Sequence, residues 1–189
     1  MSRHELVASR VEVDAVAGQD AAVFVESETL PDMNDSSIDM LLEVIDQGFD
    51  RQSWHGPNLR GSIRGVTHLQ AVWRPQPQRH HIWDHMLHAA YWKYTVRRRI
   101  LGEKRGSFQL KGSNWFTTEE TTAAAWRRDV QLLVETHESL RAAIADVSPA
   151  KLRKRLRGAK VTYFFLISGV AAHDVYHAGQ IQLLKRLQK

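Results

Sequence analysis

At 189 residues and 21.7 kDa the chain is long enough for one good-sized domain or two small ones. Its 43% hydrophobic and 25% charged residues are the balance of a soluble globular protein, which excludes wholesale disorder, a collagen-like repeat and a membrane bundle. Cysteine is absent, which excludes a disulfide framework, a thiolate zinc site and a cysteine nucleophile. The net charge of +5 is unevenly spread. Residues 1–50 carry two basic side chains against twelve acidic ones, and residues 51–189 carry twenty-four basic against nine acidic. A basic body can attract nucleic acid or small anions. The cations are mostly scattered, which favours a solvated surface except at Arg97, Arg98 and Arg99 and over residues 151–160.

In chain order, residues 1–34 mix acidic and small side chains with no stable period, so an acidic, poorly ordered extension is expected there. Residues 35–189 are expected to form the folded domain. Ile38, Leu41, Leu42, Ile45 and Phe49 follow helical spacing and predict a helix over about 36–53, capped by Asp35 or Ser36. Residues 54–79, with Gly56, Pro57, Gly61, Gly65, Pro75 and Pro77, read as a long connection. Within it Thr67 and Gln70 have capping-box spacing and predict a short helix near 67–73. A second long helix is expected over about 80–101, ended by Gly102, followed by a loop that carries Phe108, Trp115 and Phe116. Thr117 and Glu120 repeat the capping-box spacing and predict a third helix over about 118–146. A fourth is expected over about 161–187; its apolar run, residues 161–172, is too short to span a bilayer, which needs about 20 residues. Four amphipathic helices joined by two long connections define an all-α bundle. The opening residues do not read as a signal peptide, and a cytoplasmic location is expected.

Ten histidines are many for this length, but ten placed at random would still give roughly half a pair at i, i+4 spacing. The chain has two such pairs, His81/His85 and His173/His177. His173 and His177 lie within about 40° of each other on the fourth helix, on the face that carries Leu166, Val170, Gln180, Ile181 and Leu184. Two imidazoles driven into an apolar seam either find hydrogen-bond partners or share a metal ion at about 2.0–2.1 Å. His81 and His85, near a helix start, are expected to be solvated. His88, among Leu87, Ala89, Ala90, Tyr91 and Trp92, is expected to be buried and is the better third ligand. His137 has no partner at an informative spacing.

Residues 82–93, around Trp83, Asp84, His85, His88, Tyr91 and Trp92, together with residues 173–181, from His173 and Asp174 through His177 to Gln180, resemble the DinB/YfiT-like superfamily of metal-dependent proteins. The resemblance extends over about residues 36–189, and the stretch from Trp54 through Pro75 also looks like one branch of that family. It implies a four-helix bundle with a divalent metal (zinc, nickel or iron) held by one histidine of the second helix and the histidine pair of the fourth. On this chain those are His88, His173 and His177. Asp84, Asp174 and Gln180 are candidates to orient these rings, and Tyr91, Trp92 and Trp115 are candidates to line the pocket. The resemblance further implies a homodimer and a small-molecule substrate, with branches of the family working on low-molecular-weight thiols as transferases or isomerases. Hydrolysis by water on the metal is a further option. Two other readings stay open: a non-enzymatic stress or binding protein with a structural metal, and a nucleic-acid binder using the basic body. No membrane partner is expected.

Overall fold

A computed structural model describes residues 33–106 and 108–189 of the chain. The expectation of a disordered extension concerns residues that lie outside this range, except that Met33 and Asn34 already belong to the first helix. Helix α1 spans Met33–Phe49, so Asp35 and Ser36, expected to precede it, lie within its bounds. Its period buries Ile38, Leu41, Leu42, Ile45 and Phe49, as the spacing requires.

The long connection after α1 carries more structure than its glycines and prolines suggest. Asn58 accepts a hydrogen bond from the Gly61 N–H and starts a five-residue helix, α2 (Leu59–Ile63), which the sequence reading missed. Thr67 and Gln70 form the expected capping box and open α3 (His68–Ala71). Helix α4 (Ile82–Leu101) begins with an unusual box: His81 Nδ1 accepts from the Asp84 N–H at 2.9 Å, and Asp84 accepts from the His81 N–H at 3.0 Å. It ends where Gly102 turns left-handed, at φ 72°.

Helix α5 (Ala123–Ala145) starts later than expected. Its cap is Thr122, which accepts from the Ala125 N–H, and the Thr117/Glu120 pair is not used. Glu120 instead accepts from the Thr122 hydroxyl and pairs with Arg128. A short 3₁₀ turn (Pro149–Lys151) leads to α6 (Tyr163–Leu187), capped by Thr162. Among the described residues there is no strand, and no helix is long and apolar enough to cross a membrane.

Helix α4 packs on both α5 and α6, while α1 closes against α6 and α5. The approach of α1 to α6 is close enough that a Cβ on Gly48 would lie 3.1 Å from the Ala171 carbonyl oxygen. Two apolar clusters fill the interior. One gathers Phe49, Trp83, Met86, Leu87, Leu133 and Ile181, and the other gathers Ile38, Ile45, Val96, Leu140, Ile144 and Ile167. In sequence α1, α5 and α6 change cluster at a polar residue, Asp46, His137 and Asp174 respectively, and on α4 Lys93 sits just before the change, which falls between Tyr94 and Val96. Lys93 is fully buried and donates to both Asp174 and His137 Nδ1. His137 stacks on Phe49, with its Nε2 3.6 Å from Asp46. His137, which has no partner at an informative spacing in the sequence, is thus a core residue whose partners in this ionic layer come from other helices.

A candidate metal centre between α4 and α6

His173 and His177 are one turn apart on α6, and His88 projects from the facing surface of α4. His173 Nε2 lies 3.1 Å from His88 Nε2 and 3.1 Å from His177 Nε2. One nitrogen from each of the three rings falls within 4.8 Å of the others. Helical phase brings the α6 pair together, and the α4–α6 packing supplies the third ring.

The second nitrogens show how the rings are held. His88 Nδ1–H donates to the Asn114 carbonyl oxygen at 2.8 Å, which leaves a lone pair on its Nε2 facing the cluster. Asn114 adopts the left-handed conformation, at φ 67°, which asparagine tolerates better than most residues. Its side-chain oxygen accepts from Trp92 Nε1–H at 3.1 Å. His177 Nδ1 faces His85 Nδ1 at 3.1 Å, so one of these rings donates to the other. His173 Nδ1 is buried and has no hydrogen-bond partner among the described residues. Trp115 stacks between His88 and His80, with ring centroids 3.9 and 3.7 Å away, and covers the cluster from the loop side.

Burial holds these histidines neutral. It pushes His173 down to about 3, helped by the neighbouring His177 and His88, and His177 down to about 4, helped by His88. His85 falls to about 3 through burial and then the adjacent His177. His88 is also lowered by burial, against the opposing Asn114 hydrogen bond.

The donor set fits a divalent metal. Three neutral imidazoles offer lone pairs, and Nε2 atoms bound at about 2.0–2.1 Å to one ion stand roughly 2.9–3.4 Å apart in octahedral or tetrahedral geometry, the range in which the 3.1 Å contacts fall. Hydrogen bonding does not account for the same arrangement. His88 Nε2 has no proton to give, and a single proton on His173 Nε2 can serve only one of its two neighbours. A cation satisfies all three.

The other candidates are distributed differently. Asp84 does not reach the cluster; it closes the α4 capping box and pairs with Arg74 at 3.0 Å. Asp174 turns away from the cluster to Lys93. Gln180 donates to the Tyr176 hydroxyl, and its side chain also hydrogen-bonds His177, which works against the lowering of that ring by burial. Tyr91 packs with Phe108, Phe116 and Tyr94 in the core, whereas Trp92 and Trp115 both contact the histidines. His81 and His85 are buried, which corrects the expectation that they are solvated. His85 and Asn114 were not recognised as ring-orienting groups. His85 could have been found from its position one turn before His88; Asn114 sits in a loop and has no sequence signal. Arg97 and Arg98 bind Glu103 at the end of α4, so two of the three consecutive arginines are already engaged.

Helices that bring three histidines together from two elements define a class of all-α proteins with a candidate metal centre. The sequence pattern of the DinB superfamily matches residues 53–181, and the chain belongs to that superfamily. No curated protein and no solved structure matches it.

Proposed function

We propose that this protein is a metal-dependent enzyme acting on a small molecule, with a divalent ion held by the Nε2 atoms of His88, His173 and His177. The observation that carries this reading is the pair of 3.1 Å nitrogen contacts centred on His173, with spacing suited to metal ligation. Neutral imidazoles suit zinc, nickel or iron. Three protein ligands leave coordination positions open, as in catalytic sites, and an ion bound there lowers the pKa of a coordinated water or thiol. The chain's own residues supply the rest. Asn114 and His85 fix the tautomers of His88 and His177, and Trp115 shields the rings from water on the loop side. Thiol transfer or isomerisation with a low-molecular-weight thiol, and hydrolysis, are the reactions such a site supports. The absence of cysteine suits a cytoplasmic setting.

The test is metal analysis of the purified protein by mass spectrometry, followed by a screen of the loaded protein with thiols and electrophiles. His88→Ala, His173→Ala and His177→Ala should each lose most of the metal, whereas exposed His55→Ala should keep it. Equal metal content in all four would overturn the site. Metal retention without turnover would favour a binding protein with a structural ion. Mobility shifts with nucleic acid that weaken steeply with salt would support the nucleic-acid reading.

A further inference from the structure

The outer face of α6 is unlike the other solvent-facing helix surfaces of this protein. On α5 the exposed positions include Arg127, Gln131, Glu135 and Glu138, as expected beside water. On α6 an outward stripe runs through Phe165, Gly169, Ala172, Tyr176, Gly179 and Leu183, all exposed and none charged, and the exposed charge of this helix, Arg186, lies in its last turn beyond the stripe. At roughly 100° per residue they fall within an arc of about 80°, along roughly 27 Å of helix. Phe165, Tyr176 and Leu183 are 64%, 63% and 58% exposed. A helix that is apolar on its inner and outer faces alike is normally buried on both.

The two glycines sharpen the point. Neither Gly169 nor Gly179 has any atom within 4 Å of where a Cβ would stand, and neither takes a positive φ. Among the described residues nothing requires glycine there, and glycine weakens a helix interior. Close approach of another backbone would give both a purpose.

We infer that this face of α6 packs antiparallel against the same face of a second copy of the chain. The stripe is self-complementary about position 174. A two-fold axis there sets Phe165 against Leu183 of the second copy, Gly169 against Gly179, and Ala172 against Tyr176. Large side chains meet at the ends, the glycines meet each other, and the tyrosine faces the alanine. A two-fold interface demands this kind of reciprocal pairing. With their neighbours Phe164 and Leu187, the large side chains expose on the order of 600–700 Å² per copy, close to the roughly 800 Å² per partner of a standard interface. His173 and Gln180 lie on one flank of the stripe, so the second copy would border the metal centre. The inference gives the dimer implied by the family resemblance a defined face, and it does not depend on the metal.

Sedimentation velocity of the full-length protein across micromolar concentrations tests it. The wild type should be a dimer, and Ala172→Arg should raise the dissociation constant more than roughly 100-fold while leaving the helical circular dichroism unchanged. Gly179→Ala separates an interface effect from misfolding, because the substitution favours the isolated helix and should still weaken the dimer. Pairing direction is read by mixing Phe165→Cys with Leu183→Cys protein, each carrying the chain's only cysteine. Antiparallel packing predicts disulfides between the two variants in preference to either variant with itself. A monomeric wild type, a dimer indifferent to Ala172→Arg, or preferential self-cross-linking would each overturn the inference.

Discussion

Lys93 of α4 and Asp174 of α6 form an ion pair with both side chains only 1% exposed, and Asp174 is the residue next to His173. Two charges leave water to make this pair, a cost that their attraction offsets only when the geometry is kept. Lys93 is compensated further by His137 Nδ1 at 3.3 Å and by the Phe49 ring at 4.7 Å. The layer joins α1, α4, α5 and α6 beside the histidine cluster and favours one register of α6 on α4.

Removal of one partner should therefore be far worse than removal of both. Lys93→Met leaves a buried carboxylate and should cost about 3–5 kcal/mol, whereas Lys93→Met combined with Asp174→Leu should recover much of that loss. Chemical denaturation of the two variants measures the difference. Equal losses would show that the ion pair is not energetically coupled.

A bound metal should staple α4 to α6. A ligand bound only by the folded state at 100 times its Kd adds about 2.7 kcal/mol. Chelation should lower the Tm by several degrees without unfolding the protein, since the two apolar clusters remain. His177→Ala should show no response to chelator. A wild-type melt that stays unchanged while metal is demonstrably removed would sink the stapling idea.

His85 should matter to the metal without binding it. Loss of its contact with His177 Nδ1 should weaken metal affinity about 10–100-fold, as loss of an orienting partner does elsewhere. Competition with a chromophoric chelator gives the affinity of His85→Ala. His85→Asn, which retains polar atoms, should recover part of it.

Acid should destabilise the metal-free protein. His85, His173 and His177 have folded pKa values of about 3, 3 and 4, below the ordinary 6.5, and His137 is pushed down to about 2 by burial and by Lys93. Depressed values mean that the unfolded chain binds these protons first. Their stabilising effect is present above pH 6.5 and is lost as pH falls through the folded values, at about 1.4 kcal/mol per pH unit for each histidine. Asp174 opposes this: burial raises it to about 6, so its protonation favours the fold as pH drops from 6 towards 3.8 and offsets about one histidine. Melts in chelator between pH 7 and pH 4 should show the loss, and a flat profile would contradict it.

Capping distinguishes two threonines that look alike in sequence. Thr122→Ala should cost about 1 kcal/mol, because it orphans the Ala125 N–H, and Thr117→Ala should cost little. Thermal melts of the two variants decide it.

The long helices are legible in the amino-acid pattern alone, because a 3.6-residue apolar period is a local property that any amphipathic helix must carry. That pattern also determined which face of α6 holds His173 and His177, since that needs only helical phase, and Gly102 marked the end of α4 without any knowledge of its neighbours. The placement of side chains from different helices was decided by the tertiary structure. Whether His85 is solvated or turned onto His177 depends on how α4 sits against α6, and whether His137 is a surface residue depends on Lys93 and Phe49 arriving from other helices. Asp84 and Asp174, similar as isolated polar residues near histidines, are separated only by packing, one to a helix start and the other to a buried lysine. The start of α5 was misread because Thr117 and Glu120 have the right spacing for a cap, while the choice of Thr122 depends on where the preceding aromatic loop docks. Trp115 and Asn114 reach the histidines through that same loop, whose path is set by packing of Phe108 and Phe116 against Tyr91, with no periodicity to announce it.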